Sequence, residues 1–75
     1  MTPIHKLFAN CLKQTRLAQQ MTQEELAIAT GLSVSFIRSL EQAQSGSSFD
    51  TLNRLCNALS VKPHQLFDCQ DKEHA

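Results

Sequence analysis

Glycine and proline are scarce in this chain, two of each in 75 residues, which excludes a collagen-like repeat and a low-complexity coil. With 41% hydrophobic and 19% charged residues, the composition is that of a chain that folds. No apolar run approaches the roughly 20 residues that a membrane span requires, and the stretch from Met1 to His5 opens no secretory signal. A protein that works in the cytoplasm, with no membrane contact, is therefore expected. Cys11, Cys56 and Cys69 form an odd set with no CxxC pair, so neither a disulfide framework nor a zinc ribbon is indicated, and reduced thiols are expected. His64, Cys69 and His74 are too loosely grouped, across a tail, to suggest a metal. A glycine-rich phosphate loop is missing, as is any Ser-His-acid or Cys-His set on a pocket that so short a chain could build. Neither catalysis nor a small-molecule cofactor is expected.

Excess charge is missing too. Seven basic residues balance seven acidic ones, which at face value argues against a nucleic-acid partner, since Lys and Arg must neutralise its phosphates. The total hides an arrangement. Residues 1–23 carry Lys6, Lys13 and Arg16 with no acid, whereas the tail carries Asp68, Asp71 and Glu73 against Lys72. Neutral hydrogen-bonding side chains, Gln and Ser above all, stand where charge would be common.

No segment alternates apolar and polar residues as a half-buried strand does, while helical spacing recurs throughout, so the fold class is all-α. Ile4, Phe8, Cys11, Leu12 and Thr15 or Arg16 make one stripe of a first helix that Pro3 can start and that should end near Gln19. Thr22-Gln-Glu-Glu25 is a capping box, with Met21 and Leu26 at the hydrophobic-staple positions. Gly31 supplies the left-handed residue that ends the second helix after about two turns. Ser33 can cap a third, with Phe36, Ile37 and Leu40 inward and Val34, Ser35, Arg38, Ser39 and Gln42 outward. Ser48 can cap a fourth, with Leu52, Leu55, Cys56 and Leu59 buried. A fifth short helix starts at Pro63 and buries Leu66.

Two short helices joined by a glycine turn in a small helical domain form the arrangement that lays a second helix in a DNA major groove. The residues go further. Thr22-Gln-Glu-Glu-Leu-Ala27, Thr30-Gly-Leu-Ser33, Phe36-Ile37, Leu40-Glu41 and the run from Leu52 to Leu59 resemble, in one register over about residues 8–67, the Cro/phage-repressor (Xre-type) helix-turn-helix family. The resemblance implies a five-helix, lambda-repressor-like domain over residues 1–68, with the helix-turn-helix at about 22–41; residues 69–75 read, from their own composition, as an acidic, disordered tail. It further implies that the third helix reads operator DNA and that the protein binds double-stranded DNA as a two-fold homodimer.

Family members often link the first helix to the end of the third by an Arg–Glu ion pair, and Arg16 and Glu41 match those positions. They are expected in the scaffold, the alternative being two exposed charges of little energy. The outward side chains of the recognition helix, Val34, Ser35, Arg38 and Ser39, are expected to meet bases. Arg38 can donate two hydrogen bonds to guanine O6 and N7, or else hold a phosphate, and Val34 can pack on a thymine methyl. Gln23 and Ser33 at helix starts, with Gln44, Ser45, Ser47 and Ser48 after the recognition helix, are the expected phosphate contacts. Here the sequence departs from the family, which usually places Arg or Asn, then Gly, then further basic residues after the glutamate. This chain has Gln42-Ala-Gln-Ser-Gly-Ser.

A domain of this size buries only about 60% of its unfolded surface, so a second subunit would add cover. Leu59, Val61, Leu66 and Phe67 are the expected dimer surface, with Phe67 equally readable as core. The expected function is an autoregulating transcription regulator, either a restriction–modification controller or a small phage-type repressor. A protein-interaction module, such as an antitoxin that covers a toxin, is the rival reading.

Overall fold

The computed structural model describes residues 4–69, which form α1 (Ile4–Ala18), α2 (Gln23–Thr30), α3 (Val34–Glu41), α4 (Phe49–Leu59) and a 3₁₀ turn (Pro63–Leu66). Among the described residues there is no strand. The expected fifth helix is corrected to that single turn, closed by bonds from the Gln65 N–H to the Lys62 carbonyl and from the Phe67 N–H to the His64 carbonyl. Leu66 is drawn into the core and Cys69 is tied to α1, so the chain must leave the helical path within one turn.

Local chemistry sets the helix boundaries. The Thr22 hydroxyl accepts the Glu25 N–H at 3.0 Å while the Glu25 carboxylate accepts the Thr22 N–H at 2.7 Å, completing the capping box. Ser33 and Ser48 accept the N–H groups of Phe36 and Thr51. Gly31 ends α2 at φ 76°. Gln20, Ala43 and Ser60 also take positive φ, near 60°, and each turns the chain at a helix end without the relief that glycine provides.

The core is aliphatic. Leu12, Leu26, Ile37, Leu40, Leu55 and Leu59 have no exposed surface, and each such side chain contributes about 1.5–3 kcal/mol by leaving water. α2 packs on both α3 and α4, and α1 on α3 and the 3₁₀ turn. Ala27 is buried, as the close approach of the helix-turn-helix requires. Phe36 and Leu52, expected inside, are only partly buried against the cluster, and Ile4, at the exposed start of α1, is 62% exposed. Phe8 stacks on Phe67 with ring centroids 5.2 Å apart. Burial pushes the Cys56 thiol above its usual pKa.

The expectation of three reduced thiols is overturned. Cys11 and Cys69 form a disulfide across 58 residues, with Cα atoms 5.5 Å apart, so the segment after the 3₁₀ turn is stapled to the buried stripe of α1. Cys69 was expected in the acidic tail. The rest of that tail, 70–75, and the helix-starting Pro3 lie outside the described residues.

A cross-link that closes so long a loop restricts the unfolded chain, and Cys69→Ser is expected to lower stability by about 2–4 kcal/mol; urea unfolding with and without reductant checks this, since reductant should weaken the wild type and leave the variant unchanged. Ala43→Gly, which relieves a left-handed alanine, is expected to gain about 0.5–1 kcal/mol in the same assay.

Candidate nucleic-acid interface

The third helix begins where Ser33 caps it and ends eight residues later, where the Gln42 N–H returns to the Arg38 carbonyl. One side is anchored by Ile37 and Leu40, both without exposed surface. Ser35 and Arg38 are exposed on the other side, and Ser39 is half-buried. Val34, expected fully outward, is half-buried and leans on the core cluster, so it offers a partial apolar surface at the start of the helix. Val34 and Arg38 share an open groove with Arg16, Thr22, Gln23 and Glu24. The first turns of α2 and α3 thus face one depression, which Arg38 also lines.

A buried ion pair holds that geometry. Arg16 Nε donates to Glu41 Oε2 at 2.6 Å and Arg16 Nη2 to Oε1 at 3.1 Å. The two side chains are 8% and 3% exposed, so this is not the weak surface pair weighed as the alternative. Arg16 Nη1 also donates to the Met21 carbonyl at 2.7 Å, and Gln23 Nε2 donates to Glu41 Oε1 at 3.0 Å. One carboxylate therefore ties the end of α1, the start of α2 and the end of α3. Gln23, expected on a phosphate, has its amide turned to this network and stands at the rim of the groove.

The expected phosphate set divides. Ser33 and Ser48 use their hydroxyls as helix caps, Ser48 also bonding the Thr51 hydroxyl at 3.1 Å. Gln44 is exposed, and Ser45 and Ser47 are half-buried on the loop between α3 and α4. The dimer set needs correction. Leu59 and Leu66 have no exposed surface because the protomer's own core absorbs them, which leaves only Val61 and Phe67 with surface for a second subunit.

Arg54 went unforeseen. It bonds Asp50 at 3.0 Å and, through Nη1, the Thr30 carbonyl at 3.2 Å, tying α4 to the turn inside the helix-turn-helix. An Arg four residues after an Asp was the available signal, but nothing local indicated Thr30 as its second partner.

The Cro/C1-type HTH DNA-binding domain matches residues 12–72 of the chain. Control protein C.BamHI from Bacillus amyloliquefaciens is 33% identical over 66 residues, 87% of this chain and 82% of that protein. The crystal structure of the restriction-modification controller protein C.AhdI from Aeromonas hydrophila superposes with a TM-score of 0.82 at 32% identity, covering 84% of this chain and 96% of that one. A hypothetical transcription factor from Neisseria, NHTF, aligns over 96% of this chain and 82% of its own with a TM-score of 0.85; at 22% identity it speaks to the fold alone.

Removing the carboxylate would strand a buried guanidinium. Glu41→Ala is expected to cost about 3–5 kcal/mol in urea unfolding.

Proposed function

The chain belongs to the Cro/C1-type helix-turn-helix DNA-binding family, and on that premise we propose that it is a sequence-specific transcription regulator. In this reading it works in the cytoplasm as a homodimer on a two-fold operator, with α3 of each protomer in successive major grooves about 34 Å apart. The observation that carries the reading is the exposed Arg38–Ser35 face of α3, rigidly backed by Ile37, Leu40 and the Arg16–Glu41 pair. A guanidinium on such a face suits the paired acceptors of guanine, each good bidentate pair giving about 1–3 kcal/mol of discrimination.

Two relatives named as controller proteins, both above 30% identity with the chain covering most of their length, favour a restriction–modification controller over a phage-type repressor. The proposed control is by the protein's own concentration at a promoter that it occupies. Val61 and Phe67 are the residues of the expected dimer surface that still have area to offer.

Fluorescence anisotropy with DNA upstream of the protein's own gene, against a scrambled duplex of equal length, tests the reading. Wild type is expected to prefer the upstream duplex, and Arg38→Ala is expected to lose about 1–3 kcal/mol and most of that preference. Equal weak binding to both duplexes, unchanged in the variant, would overturn the proposal in favour of a protein partner.

A further inference from the structure

Lys6, Asn10 and Lys13 recur along α1 at intervals of four and three residues, so they lie on one face, and all three are exposed. No acid stands among residues 1–23. Neither lysine is in an ion pair; among the described residues those pairs are Arg16–Glu41 and Arg54–Asp50. The face does not stand alone. Lys6, Asn10 and Lys13 form one wall of a groove whose other wall is Glu41, Gln42 and Ala43. Glu41 brings no free charge to it, because its carboxylate is 3% exposed and bonded to Arg16 and Gln23. Toward the start of α1, His5 and Lys6 lie beside the run Ala43–Gly46, with His5 placed over Gly46. Toward its end, Lys13 is one turn before Arg16, which borders the groove that contains Arg38.

We propose that this α1 ridge is a duplex-phosphate contact, with Lys6 and Lys13 gripping the DNA strand that leaves the recognition helix past Gln42 and Gln44. The proposal rests on the function inferred above and names a surface which that reading leaves unused. Its logic is one of position. The loop after α3 offers only amides and hydroxyls, so a strand lying along it meets no cation there. The cations across the groove are the two lysines of α1, which restore the charge from a neighbouring element. A phosphate backbone fits this surface better than an acidic protein does, because the ridge comes within one turn of Arg16 at the groove of Arg38 and borders the loop after α3, along one edge of the proposed interface.

The test is the salt dependence of binding to the upstream duplex, by anisotropy between 50 and 200 mM salt, for wild type and a Lys6→Gln, Lys13→Gln double variant. Each phosphate neutralised contributes about 0.9 to the slope of log affinity against log salt. The variant is expected to lose about 1.8 from that slope, with its ratio of upstream to scrambled affinity unchanged, since phosphate contacts carry no sequence information. A Lys6→Arg, Lys13→Arg variant is expected to recover the slope, which separates lost charge from lost folding. An unchanged slope in the Gln variant, with wild type binding well, overturns the ridge alone. Wild type that binds neither duplex overturns the DNA reading and the ridge with it.

Discussion

The Arg16–Glu41 pair is the interaction on which the placement of α3 depends. A guanidinium and a carboxylate that are both more than nine-tenths shielded from water incur a desolvation cost of several kcal/mol each, which only close, multiply bonded geometry offsets. Here the geometry is close, with two bonds between the pair, a third from Arg16 to the Met21 carbonyl and a fourth from Gln23. An apolar contact at the same place could be as stable. It would not be as directional, and direction is what the end of α1, the start of α2 and the end of α3 need if Arg38 is to meet a base edge within hydrogen-bond tolerance.

A neutral chain can still bind a polyanion when its charges are sorted. Glu41 and Asp50 are occupied by arginines and Glu25 closes a helix cap, so that among the acids near the proposed face Glu24 alone is exposed at the Arg38 groove. The cations Lys6, Lys13 and Arg38 are exposed beside the loop and groove that the proposed duplex would follow. The formal balance is therefore a poor measure of the field at one face, although it does limit long-range attraction.

What was legible in the sequence was what neighbouring residues decide. Thr22, Ser33, Ser48 and Gly31 announced the ends of helices because a cap or a left-handed turn is completed within three or four residues. The core positions of α3 and α4 followed from period, apart from Phe36 and Leu52, which only half close. What was not legible depends on how distant segments return. Cys11 and Cys69 meet only because the turn at Pro63 brings the chain back across α1, and the spacing of the three cysteines contains no trace of this. Leu59 and Leu66 read both as core and as dimer surface, and the folded chain keeps both wholly inside. Gln23 looked free for a phosphate because its partner, Glu41, is 18 residues away.

In the proposed mode of binding, α3, held by the buried pair, is the surface that meets DNA. The direct measurement is a ¹H–¹⁵N correlation spectrum of the labelled protein titrated with the upstream duplex. Shifts are expected to concentrate at Gln23, at residues 33–39 and along 42–48, with the buried amides of α4 little moved. Shifts centred instead on exposed Ile28 or on Val61 and Phe67, with residues 33–39 unmoved, would contradict that mode.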